Sequence, residues 1–159
     1  MKITILAVGK IKESFYREAV REFEKRLGRY CRLQIVEVLD EKTPERASAA
    51  EQAAIKDREG AGILKHIRDN AFVIALAIEG QMTDSPGLAE KIRLLGVNGT
   101  SHVVFVIGGS LGLSDKVLGR ADMQLSFSKM TFPHQLMRVI LLEQIYRSYR
   151  IINQEPYHK

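Results

Sequence analysis

The chain has 159 residues, 45% of them hydrophobic and 27% charged, with one cysteine and a net charge of +5. Such a length and composition suit one globular domain spanning residues 1–159, and the lone Cys31 excludes an internal disulfide or a cysteine-based zinc cage. The alternating start KITILAV lacks the parts of a signal peptide and no apolar run is long enough to span a bilayer, so a cytoplasmic chain with no membrane partner is expected.

Residues 3–8 (ITILAV) read as a strand closed by Gly9. Residues 13–27 read as a helix, with Phe15, Ala19, Phe23 and Leu27 spaced by four on one face. A second strand covers 33–39. A polar stretch around Glu41–Pro44 then leads into a helical segment from Ala47 to Ile67, which Gly60 and Gly62 are expected to kink or end. The apolar run 72–78 (FVIALAI) has the character of a strand covered on both faces. Ser85-Pro86 reads as an N-cap followed by proline at the first helical position, and Gly96 ends that helix. Residues 103–107 (VVFVI) form another buried strand, followed by the glycine-rich turn 108–112. Ser114 caps a short helix to about Leu118, 123–127 is a last short strand, and Pro133 opens a long helix to about Tyr149 before a polar tail.

Strands alternating with helices indicate an α/β domain around a mostly parallel sheet. In such sheets ligands sit beyond the carboxyl ends of the strands, which points to the segments after Ile78, Ile107 and Phe127. Gly108-Gly109-Ser110-Leu111-Gly112 supplies bare backbone there. Its spacing is neither the dinucleotide fingerprint nor a phosphate-binding P-loop, so a tight turn and a ligand site stand equal on this motif alone. Glu79-Gly80 is a weaker signal of the same kind.

The segment from Ser126 to Arg138 gathers Ser128, Lys129, Thr131, His134 and Arg138 between a strand end and a helix start. An isolated His134 most simply bonds a neighbouring carbonyl. The helix that follows is apolar nearly all round, from Leu136 to Tyr146, more than one small sheet can cover; a two-fold dimer is the preferred explanation. Residues 1–32 carry nine Lys/Arg against four Asp/Glu, and residues 129–159 five against two, around a mildly acidic middle. Basic ends suit a polyanion or a merely solvated surface equally. The tail holds Arg147, Tyr157, His158 and Lys159, residue types that stack on bases and contact phosphates, although tails commonly fray. Without the glycine turn, the basic ends alone would suit a non-catalytic RNA- or ribosome-binding factor.

MKITILAVGK, VVFVIGGSLGLS, LSFSKMTFPHQLMRVILLEQIYR and the terminal PYHK together resemble the RlmH family over essentially the whole chain. These are ribosomal large-subunit pseudouridine N3-methyltransferases of the SPOUT superfamily. The resemblance implies a SPOUT-type α/β fold, a mostly parallel sheet flanked by helices with a C-terminal deep trefoil knot, in an obligate homodimer. It implies S-adenosyl-L-methionine as methyl donor, with no metal, contacted at Leu76, Gly108, Phe127, Ser128, Lys129, Met130, Thr131 and Phe132. It implies a role in catalysis or RNA engagement for Arg147, Tyr157 and His158, with His158 one candidate base. The implied substrate is N3 of a pseudouridine in helix 69 of 23S rRNA, presented on the large ribosomal subunit or the 70S ribosome.

Overall fold

A computed structural model describes residues 1–159. The elements run β1 (Lys2–Val8), α1 (Ser14–Leu27), β2 (Arg32–Val38), α2 (Ala49–Leu64), β3 (Phe72–Met82), α3 (Ser85–Val97), β4 (His102–Ile107), α4 (Asp115–Arg120), β5 (Met123–Ser126) and α5 (His134–Ile152). The strands form one sheet in the order β2-β1-β4-β3-β5, and every neighbouring pair is parallel.

Side chains alternate across the sheet and build a core on each face. Ile3, Ile5 and Ala7 of β1, with Val103, Phe105 and Ile107 of β4, pack against α1, α3 and α5. Leu6 and Val8, with Val104 and Val106, face Ile63 of α2 and Val117 of α4. The wide apolar surface of α5 is partly accounted for here. Leu141, Leu142 and Ile145 are fully buried against α1 and α3, each contributing about 1.5–3 kcal/mol by burial. Leu136 and Ile140 stay half exposed.

Several local expectations are corrected by packing. Gly60 and Gly62 do not end α2, which runs through them to Leu64. A side chain at Gly60 would come within 2.5 Å of Ser114 Oγ, and one at Gly62 within 2.7 Å of Val38 Cγ1. They are where the start of α4 and the end of β2 approach the helix, so close packing explains them. The strand expected at 72–78 continues to Met82 through an irregularity in which Leu76 and Gln81 both oppose Leu125. Gly80 lies inside it, because a Cβ there would stand 2.7 Å from the Gln124 backbone. Asp84, not Ser85, caps α3 by accepting from Gly87 N–H at 2.8 Å. On α1 the buried positions are Val20 and Leu27, while Phe15 is 61% exposed.

Arg138 ties α5 to the sheet. Its side chain is only 2% exposed, donates to Glu37 at 2.7 Å, and reaches the carbonyls of Val8 (3.1 Å) and Gly9 (2.5 Å). A cation placed there holds the carboxyl ends of β1 and β2 against the start of α5.

Candidate active site

The carboxyl ends of β3, β4 and β5 surround a cavity of about 400 Å³. One wall is the glycine turn, in which Gly112 donates its N–H to Gly109 O at 3.1 Å and adopts φ +85°. Gly108 is required for that wall to close: a Cβ would lie 2.8 Å from the carbonyl carbon of Gly112. The opposite wall is the segment after β5. There Ser126 donates to Ser128 O at 3.1 Å, and the Ser128 hydroxyl accepts from Met130 N–H at 3.0 Å. These bonds shape the turn, and Phe127, Ser128 and Met130 within it line the cavity.

Leu76, Gly108, Phe127, Ser128, Met130, Thr131 and Phe132 all line this space. Lys129 does not; it is exposed on the outer side of the loop. The lining also includes Glu79, Gln124, His134 and Met137. Glu79 is its only carboxylate, and the Glu79-Gly80 signal in the sequence pointed towards it. Burial, reinforced by the Arg138 guanidinium, holds the His134 ring below its ordinary pKa, so it is neutral at neutral pH.

Arg147, Tyr157 and His158 come together elsewhere, around a residue that sequence reasoning missed. Glu143 Oε1 accepts from Arg147 at 2.5 Å and from the Tyr157 hydroxyl at 3.0 Å. The Arg147 guanidinium lies 4.6 Å over the Tyr157 ring, and that ring meets Tyr146 edge-on at 5.0 Å. Burial first, then the bond to Glu143, raises the Tyr157 pKa and keeps the phenol protonated. Arg147 Nη1 lies 3.2 Å from His158 Nδ1. A guanidinium only donates, so this bond requires Nδ1 to be the unprotonated nitrogen and leaves the proton on Nε2. The tail is therefore packed and does not fray: Gln154 turns it back at φ 54°, and Arg150 and Tyr30 both bond Glu155. A periodicity search had no means of finding Glu143, since on a helix it looks like any solvated acid.

None of the three lines the cavity. Met137 and Arg147 are ten residues apart on α5, about 15 Å along its axis.

Comparison with known proteins decides the family. The family model described as "Predicted SPOUT methyltransferase" matches residues 1–158. The chain belongs to the SPOUT methyltransferase family. Relatives named "Ribosomal RNA large subunit methyltransferase H" are 65% identical in Bifidobacterium adolescentis, 60% in Bifidobacterium animalis subsp. lactis and 57% in Clostridium kluyveri. Each alignment covers 100% of both chains. For a SPOUT methyltransferase, the non-catalytic reading falls away.

Glu143 should act on this SPOUT methyltransferase by ordering the tail. In Glu143→Leu, amides of residues 154–158 are expected to exchange hydrogen at least about tenfold faster, because two charge-assisted or neutral bonds of about 1–3 kcal/mol each are lost. Affinity for S-adenosylhomocysteine should stay within about twofold. Unchanged exchange would remove Glu143 from the account of the tail.

Proposed function

We propose that the chain methylates N3 of a pseudouridine in 23S rRNA, taking the methyl group from S-adenosyl-L-methionine and acting as a homodimer. What carries this reading is the cavity at the carboxyl ends of β3, β4 and β5, in a chain alignable end to end with ribosomal RNA methyltransferases. Its volume of about 400 Å³ suits a ligand of nucleoside size, within the roughly 300–1,000 Å³ of small-molecule pockets. Its lining suits an adenosyl sulfonium compound as well. Leu76, Leu111 and Leu125 offer apolar surface to a base, the two loops offer backbone hydrogen-bonding groups, and Glu79 offers a carboxylate to hydroxyl or cationic groups.

The donor, when bound, supplies an electrophilic methyl group on a sulfonium, so the chain's task is chiefly placement. Orientation at near-attack distance contributes roughly 7–11 kcal/mol. The acceptor must lose its N3 proton, which passes to solvent water, and Arg147 with the Nε2–H of His158 would stabilise the resulting anion until it attacks the methyl carbon and S-adenosylhomocysteine leaves. His158 would serve as a base only after parting from Arg147, which occupies the Nδ1 lone pair.

Distance supports the homodimer. Arg147 stands about 15 Å beyond the cavity along its own helix, while reacting atoms must approach within about 3–3.5 Å. A second copy, related by the two-fold symmetry commonest among oligomers, would bring its tail to this cavity. Exposed Ile78, Met82 and Met130 near the cavity mouth, with half-exposed Leu136 and Ile140, supply apolar surface for that contact. The choice of a helix 69 pseudouridine, and the C-terminal knot, rest on the resemblance carried by residues 125–147 and the PYHK ending.

Calorimetry with S-adenosylhomocysteine tests the cavity. The native protein should bind it, and Gly108→Val should weaken binding at least about 100-fold, since the new side chain must displace the Gly112 backbone. Normal affinity in the variant would move the donor elsewhere. Methyl transfer to large ribosomal subunits, with the product mapped by nucleotide, tests the target; transfer to another atom or RNA would replace this substrate.

A further inference from the structure

A second concavity lies at the opposite edge of the sheet, where the strands begin. It is a groove of about 710 Å³ between the turn after α1, residues 28–32, and the turn after α3, residues 96–101. Lys2, Arg29 and Arg32 line it, and no acidic side chain does. Lys2 is in register with Arg32 on one side and His102 on the other. Neighbouring strands are about 4.8 Å apart, so three basic residue types stand side by side. Lys2 and Arg32 make no ion pair. The local potential is felt by a neighbour: burial, then the charges of Lys2 and Arg68, lowers the pKa of His102.

Basic residues also gather at helix carboxyl ends to offset the macrodipole, and α1 and α3 both end here. Two such ends amount to about one negative charge, which the three cations exceed even when Arg29 is shared with Glu155 at 3.7 Å. The surplus faces open solvent. The groove also runs into the tail. Tyr30 lines it and donates its hydroxyl to Glu155 at 2.6 Å, the carboxylate that pairs with Arg150 ahead of Tyr157 and His158.

We propose that this groove holds the ribose–phosphate backbone of the ribosomal RNA beside the nucleotide to be methylated. The inference rests on the methyltransferase reading above. Groove and tail share one end of the protomer, so a tail delivered to a partner's cavity brings its groove with it. Phosphates are the chemistry that unpaired cations on a polar floor recognise, and RNA supplies them in a row.

The test uses the double variant Lys2→Gln/Arg32→Gln and large ribosomal subunits from cells lacking this methyltransferase. Arg29 is left in place because it contacts the tail through Glu155. Subunit affinity should fall about tenfold at physiological salt, and the slope of log affinity against log salt should become shallower by about one per cation removed. S-adenosylhomocysteine affinity and kcat at saturating subunits should not change, and Lys2→Arg/Arg32→Lys should bind subunits like the native protein. Unchanged affinity, a loss with no change of slope, or an equal loss in the charge-conserving variant would each overturn the groove's role. Failure of the native protein to bind S-adenosylhomocysteine or transfer methyl would count against the methyltransferase reading alone, because subunit binding by the groove is read separately.

Discussion

His158→Ala is expected to lower methyl transfer to large subunits about 100-fold while leaving S-adenosylhomocysteine binding intact. The side chain is exposed, touches no cavity residue, and is held by one bond from Arg147. Its loss therefore costs the donor site nothing. What it removes is the Nε2–H, and loss of one donor facing developing negative charge costs about 10²–10³ in rate. The tautomer separates this role from proton abstraction. Asparagine can donate but cannot act as a base, so His158→Asn should recover much of the activity if donation is the role. Single-turnover rates for the two variants decide it: an Asn variant as slow as the Ala variant would return His158 to the position of base.

Arg138→Met is expected to lower stability by about 2–4 kcal/mol and the Tm by about 10 °C. Methionine fills much of the volume, so little of the effect comes from a cavity. The cost lies in the carbonyls of Val8 and Gly9, which lose their donor in a buried place, and in Glu37, which loses its cationic partner and keeps only the Ile11 N–H. Glu37 is partly solvated and contributes the smaller share. Because Arg138 sits one turn beyond His134, the start of α5 should loosen as well, and S-adenosylhomocysteine affinity should fall with stability. Thermal unfolding of the variant with and without that ligand measures both; an unaltered Tm would mean that water replaces the guanidinium without penalty.

Much of this fold was legible because buried parallel strands leave an unambiguous trace. FVIALAI and VVFVI read as strands covered on both faces; VVFVI is buried throughout, whereas FVIALAI is buried over Val73–Ala75 and emerges to an exposed Ile78. The cavity was legible for a related reason: the carboxyl ends of a parallel sheet are few, and glycine-rich or hydroxyl-rich segments at two of them stood out. Close approach between elements left no such trace. Gly60 and Gly62 looked like helix breakers because their reason lies in Ser114 and Val38, far away in sequence. Gly80 looked like a turn because its neighbour is the Gln124 backbone. The resemblance implies a donor contact at Lys129, whose side chain is exposed and is not part of the cavity lining. Glu143 became visible only when the tail was seen folding back onto α5.

The strand order has a consequence for how the protein is made. β1 leaves the ribosome ahead of the other four strands, yet it lies in the sheet interior between β2 and β4, and β4 begins at His102. At about 5–20 residues per second, the nascent chain waits some 5–20 s with one edge of β1 unpaired. That edge, KITILAV, is a bare hydrogen-bonding template of the kind that captures other chains. Synthesis of this enzyme thus passes through an interval in which chaperone cover, or the ribosome surface itself, is most needed.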